Sequence, residues 1–183
     1  MRKTSILFFS LLSCSSTLCF AAQNRDSFHS NAGVTVISND DSNENAYFYE
    51  IGYQHQLDSL FSIDASYKKV ETFTSSVGDN SDDFVQSYDA YSLGIQVGQH
   101  QGYLSLYGKA GVSLISSETQ TWDGTSSTVL VDEDDAIKPY ASIGASIASP
   151  YEQGLTFDVA VNYQMLANDQ HSTSVSGGVN FAF

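Results

Sequence analysis

The sequence predicts an all-β chain, folded as an eight-stranded antiparallel up-and-down transmembrane β-barrel. Three observations predict it. Eight segments alternate apolar with small or polar residues at a period of two. The connections between them alternate short and long, as the two ends of such a barrel require. The segment Thr173–Phe183 puts Val175, Val179, Phe181 and Phe183 on one face and Ser174, Ser176, Asn180 and Ala182 on the other. A final strand closing on an aromatic suits the interface end of a membrane strand.

Residues 1–21 are expected to be a secretory signal peptide. Arg2 and Lys3 precede an apolar stretch from Ile6 to Leu12, and Cys19-Phe20-Ala21 supplies small residues three and one before a cut. The stretch is too short to span a bilayer. A lipoprotein reading of Leu11-Leu12-Ser13-Cys14 fits less well, because Leu occupies its second position and the apolar run is short. Both cysteines fall in this segment, so the barrel, residues 22–183, has none to form disulfides.

The strands follow in order. Phe28 to Ile37 presents Phe28, Ala32, Val34 and Val36 on one face. Ala46 to Gln56 presents Tyr47, Tyr49, Ile51 and Tyr53, and Phe61 to Val70 presents Phe61, Ile63, Ala65 and Tyr67. Tyr88 to Gly98 carries Tyr91, Leu93, Ile95 and Val97; Tyr103 to Leu114 carries Leu104, Leu106, Ala110 and Val112. Ile137 to Ala148 shows Ile137, Ala141, Ile143 and Ile147, and Leu155 to Met165 shows Phe157, Val159, Val161 and Tyr163. Short turns are expected at 57–59, 99–102 and 149–154, and longer loops around 38–45, 71–87 and 116–136, with a brief fourth at 167–171.

A soluble eight-stranded barrel also alternates, and the polar face separates the two. Soluble barrels turn charged residues to water and fill their interior with bulky apolar ones. Here the polar face is built from residues such as Gly52, Ser66, Ser92, Gly94, Ser113, Ser142 and Gly144, which suit a narrow interior. Aromatics gather near both strand ends, Tyr47, Tyr49, Tyr67, Tyr91 and Tyr163 at one and Phe28, Tyr53, Phe61, Phe157, Phe181 and Phe183 at the other. Paired girdles of this kind belong to two membrane interfaces.

Charge excludes one class of partner. After residue 21 the chain keeps Arg25, Lys68, Lys69, Lys109 and Lys138, five bases against 21 acids, for a formal charge of −16. Nucleic-acid binding needs a basic footprint and is not expected. Six charged residues fall on the inward face: Glu50, Asp64 and Asp158 with Lys68, Lys109 and Lys138. Buried charges are costly unless paired, so equal numbers of each sign support this register. Glu50 and Lys68 are expected opposite or diagonal on neighbouring strands, within bridging reach. The surplus acids then lie in loops: Asp40, Asp41 and Glu44; Asp79, Asp82 and Asp83; and Glu118, Asp123 and the run Asp132, Glu133, Asp134 and Asp135. That run is read as a solvated acidic loop, with divalent-cation binding as the functional alternative. A dedicated calcium-loop spacing is absent.

Tyr107-Gly108-Lys109-Ala110-Gly111, Lys138-Pro139-Tyr140-Ala141-Ser142-Ile143-Gly144 and the terminal Phe181-Ala182-Phe183 resemble the small eight-stranded outer-membrane proteins of the OmpA-barrel and OmpX/Ail type. The resemblance spans residues 22–183. It implies a porin-family-like protein in the outer membrane of a Gram-negative bacterium, surrounded by outer-membrane lipid and lipopolysaccharide and present as a monomer. It also implies an inner polar network at the six charged positions, and a terminal strand, with Phe181 and Phe183, read by the barrel-assembly machinery. The implied function is non-enzymatic: envelope integrity, or surface contact with an extracellular ligand through acidic loops. The alternative is a narrow or gated ion channel.

Lipid A-modifying enzymes also use such barrels. His29-Ser30-Asn31 superficially resembles a deacylase signature, but its middle residue is missing and it falls at the end of strand one that faces away from lipid A. His171 with Asp169 and Ser172 lies at the other rim without a known motif. No catalytic, cofactor or metal residues are therefore expected.

Overall fold

The computed structural model describes residues 26–38, 43–72, 85–122, 129–166 and 170–183. The signal-peptide segment lies outside them, as do Asp40, Asp41, Asp79, Asp82, Asp83, Asp123 and Asp169. Eight strands follow one another: β1 Asp26–Ser38, β2 Asn43–Gln56, β3 Phe61–Thr72, β4 Val85–Gln101, β5 Leu104–Trp122, β6 Val129–Ala148, β7 Leu155–Met165 and β8 His171–Ala182. Each pairs antiparallel with the next, and β1 pairs with β8 to close the barrel. Closure leaves no edge within the barrel wall.

The alternation sorts side chains as the sequence predicts, and the result is an inverted protein. Leu106 is 59% exposed and Ile143 69%, whereas Ser174 is 1% exposed and Asp64 fully buried. Apolar residues cover the outside and polar ones fill the inside, which rules out the soluble-barrel alternative. β7, at 11 residues, matches the length a tilted strand needs to cross a hydrocarbon core.

At the end that carries the short turns, Phe28 packs on Tyr53 at 5.5 Å between ring centroids and stacks on Phe183 at 5.3 Å. At the loop end Tyr67 lies between Tyr49, at 6.4 Å, and Tyr91, at 5.0 Å. Each group forms part of an aromatic girdle.

The turns have local causes. Asp58 Oδ1 accepts the amides of Leu60 at 2.7 Å and Phe61 at 2.8 Å. These two donors hold the Asp58 carboxyl below its ordinary value, so their contribution is present above the carboxylate range and lost as pH falls through it. Gly154 turns the chain from β6 into β7 with φ 88°, and its carbonyl accepts the Ala182 amide at 2.8 Å. A methyl group there would stand 2.6 Å from the Ala182 oxygen. Gly154→Ala is therefore expected to cost about 1–2 kcal/mol from backbone conformation alone, read as a lower urea midpoint of the refolded barrel.

At the loop end pairing runs beyond the strand limits of Leu114 and Ile137 read from the alternation. The ladder between β5 and β6 runs on to Trp122↔Val129, and β4 pairs with β5 as far as Val85↔Gln120. The β3–β4 ladder stops at Val70↔Tyr88, and the β6–β7 ladder at Tyr140↔Gln164. Three strands thus continue as a small sheet beyond the closed wall. Residues 129–139 of β6 have no strand partner on the β7 side among the described residues, roughly 35 Å of free edge. The apolar stripe ends where lipid contact ends, but backbone pairing continues wherever it satisfies its own amides and carbonyls.

Candidate functional site

The barrel interior is filled in three layers. Nearest the turn end, His29, Lys109 and Asp158 join amide and hydroxyl side chains, among them Asn31, Gln54, Gln96, Thr156 and Asn180, around a cavity of about 40 Å³. That is room for about three waters.

Above it lies a charged cluster. Lys109 Nζ stands 2.9 Å from Asp64 Oδ1, a charge contact without hydrogen-bond geometry. His29 sits between two carboxylates, 3.5 Å from Glu50 Oε1 and 3.6 Å from Asp64 Oδ2. Asn31 Nδ2 donates to Glu50 Oε1 at 3.2 Å. To one side Tyr107 donates its hydroxyl to Asp158 Oδ2. The Tyr107 ring packs over Gly144, and the Tyr140 ring over Gly94 and Gly111. The small residues of the inward face are thus the floor on which large polar rings lie. A second cavity, of about 20 Å³, is left between Glu50, Lys68, Ser92, Tyr140 and Gln164.

The third layer, toward the loops, is apolar. Ile37, Ala46, Phe48, Val70, Tyr88, Ala90, Ile115 and Leu166 form one buried cluster inside the barrel. The Tyr88 hydroxyl donates to Ser172 Oγ at 2.9 Å, and Thr35 Oγ1 meets the same Ser172 oxygen at 2.8 Å. This plug was not expected from the small-polar face.

The six predicted inward charges divide accordingly. Glu50, Asp64 and Lys109 meet in the cluster. Glu50 and Lys68 are direct register partners, as expected, yet no ion pair forms between them. Lys68 Nζ instead reaches across the lumen to Ser174 Oγ at 3.1 Å and lies 4.2 Å from the Phe48 ring centroid. A hydrogen bond and a cation–π contact satisfy the ammonium there. Asp158 pairs with a tyrosine rather than a lysine. Lys138 stands opposite Ser113 on β5 and makes no ion pair among the described residues. The member missed in the sequence is His29, in phase with inward Ser27 and Asn31.

Other candidates fall elsewhere. Phe181 is exposed on the outer face opposite Phe28, and the Phe183 amide donates to the Asp26 carbonyl at 2.9 Å. The acidic run differs from the expected loop. Asp132, Glu133, Asp134 and Asp135 are not in a loop; they lie in β6 opposite Thr119, Glu118, Ser117 and Ser116, because the β5–β6 ladder carries on past the apolar stripe. His29 is buried while Ser30 is exposed on the opposite face, so the two cannot form a catalytic pair. His171 packs on Tyr163 at 5.6 Å, while Ser172 is buried in the interior. Among the described residues no group of three or more His, Cys, Asp or Glu is arranged to hold a metal ion.

The closed eight-stranded wall superposes on solved structures. Neisserial surface protein A superposes with a TM-score of 0.69, at 13% identity, over 86% of this chain and 97% of that one. The fold is that of the small outer-membrane barrels. The attachment invasion locus protein Ail of Yersinia pestis matches at a TM-score of 0.56 and 14% identity, over 86% of this chain and 97% of its own. The N-terminal β-barrel domain of Pseudomonas aeruginosa OprF gives 0.56 and 14% over 87% and 98%. At such identities the likeness is one of fold. Neither a family model nor a curated protein sequence matches the chain.

Proposed function

We propose that the chain is a non-enzymatic outer-membrane protein of a Gram-negative cell, with its turns in the periplasm and its loops outside, that works by surface contact. The observation that carries this reading is the sheet of β4, β5 and β6, which continues beyond the closed wall with the acidic run Asp132–Asp135 on its β6 strand. A strand edge offers amides and carbonyls to a partner, and the acids select one that is basic or bridged by cations. Ail, the attachment invasion locus protein, has been solved with sucrose octasulfate, a heparin analogue. A polyanion of that kind is disfavoured here by the strong negative charge of the chain.

The filled interior argues against the channel alternative. Its loop end is packed with Phe48, Val70, Ile115 and Leu166, and below that plug lie two separate cavities of about 40 and 20 Å³. Purified, refolded protein in a planar bilayer is expected to give no steady ohmic openings. Cells displaying the chain are expected to bind a polylysine-coated surface better than cells without it. Replacing Asp132, Glu133, Asp134 and Asp135 by Ser or Asn should abolish the gain while leaving the barrel's heat-modifiable gel migration intact. Regular conductance steps, or adhesion indifferent to the four replacements, would overturn the reading.

A further inference from the structure

We propose that the turn-end cavity is a monovalent-cation site, with the Asp158 carboxylate and the Asn31 side-chain carbonyl as its principal ligands. The two residues lie in one row across three strands, for Asn31 on β1 and Asp158 on β7 are both register partners of Gly178 on β8. A Cβ at Gly178 would fall on Asn31 Oδ1, so the amide lies directly over that glycine. Its orientation is set from the other side, where Nδ2 donates to Glu50 Oε1 at 3.2 Å. Oδ1 is thereby turned toward β8 and β7.

The result is a buried pair of acceptors without a donor. Asn31 Oδ1 and Asp158 Oδ1 are both buried, both lack a hydrogen-bond partner, and their side chains line the same cavity. Tyr107 satisfies only the other Asp158 oxygen. Lys109 lines the cavity too, but its ammonium is drawn to Asp64 at 2.9 Å and makes no ion pair with Asp158. Water in the cavity can donate to each oxygen but brings no charge, and a carboxylate whose one partner is a neutral hydroxyl is costly to bury. A cation answers both needs at once.

The ligand chemistry narrows its identity. Carboxylate, amide and hydroxyl oxygens suit a hard cation, and the lining offers Thr156 and Asn180 besides the principal pair. One carboxylate fits a single positive charge better than two. The space of about 40 Å³ admits an ion of sodium size with some of its water.

The test uses the full barrel refolded in detergent, with its unfolding temperature read in sodium chloride and in choline chloride at equal ionic strength. Choline screens charge equally but is too large for the cavity. The unmodified protein is expected to unfold a few degrees higher in sodium. Asp158→Asn keeps an acceptor for Tyr107 and gives Asn31 a donor, so it should unfold at one temperature in both salts. Equal temperatures for the unmodified protein would mean that the cavity holds water alone, and overturn the proposal. A full sodium response surviving in Asp158→Asn would place the cation elsewhere, for example on the acidic β6 run, and would overturn it equally. Should that variant not refold, sodium-23 line broadening is read on protein with Asp132, Glu133, Asp134 and Asp135 replaced by Ser or Asn, which removes the acidic β6 run as a competing site. Broadening relieved by a competing potassium salt supports it, and its absence overturns it.

Discussion

Replacing Lys109 by methionine is expected to destabilise the barrel by about 3–5 kcal/mol, the usual cost of stripping one partner from a buried ion pair. The residue left behind decides the size of the effect. Asp64 is fully buried, and neither of its carboxylate oxygens has a hydrogen bond in the folded chain. Its compensation is the Lys109 ammonium at 2.9 Å and the His29 ring at 3.6 Å. Without Lys109, two carboxylates share one imidazole, and either a proton or a water must enter the cluster. The double change Lys109→Met with Asp64→Asn removes both charges and should recover most of the loss, because a neutral pair has little to desolvate. Urea titration of refolded protein in lipid vesicles measures all the variants, and their coupling follows from the cycle. A Lys109→Met loss below about 1 kcal/mol would mean that Asp64 is already compensated by other means.

The second large effect belongs to the apolar plug. Phe48→Ala is expected to cost about 3–5 kcal/mol, the range for removing a buried aromatic from a packed cluster. Phe48 is 2% exposed and packs with Val70, Ile115 and Leu166 inside the wall. Its ring also receives the Lys68 ammonium at 4.2 Å, so truncation removes a cation–π partner as well as apolar contact. Phe48→Leu keeps most of the volume and loses only the ring. The difference between the two variants therefore apportions the effect. The same urea titration reads it, and a loss for Phe48→Ala no larger than for an outward Val34→Ala would count against a packed plug.

The alternation of faces made most of this architecture legible. Glu50, Asp64, Lys68 and Lys109 all point inward because a period of two leaves no other choice once their apolar neighbours face lipid. The same rule places His29 inside and Ser30 outside, so a motif built on their adjacency cannot assemble. The plug was illegible for a different reason. Phe48, Val70, Ile115 and Leu166 put apolar residues on the polar phase, so the local pattern reads as a strand losing its alternation. Only the contacts across the lumen reveal that they meet. The Lys68 contact was hidden for a similar reason: cross-strand register identifies neighbours, but a four-carbon stem reaches residues on strands that are not adjacent.

The seam between β1 and β8 has a consequence in time. Every other ladder is a hairpin, in which pairing begins at a turn and zips outward between residues already near one another. The seam has no turn. Ser27 must find Ala182, and Ser38 must find His171, across almost the whole described chain. Bringing such distant segments together carries a loop-closure cost of about 4–5 kcal/mol from chain length alone. Contacts so far apart in sequence slow a chain's search. The hairpins need no such search, so the seam is expected to close last and to set the pace of folding.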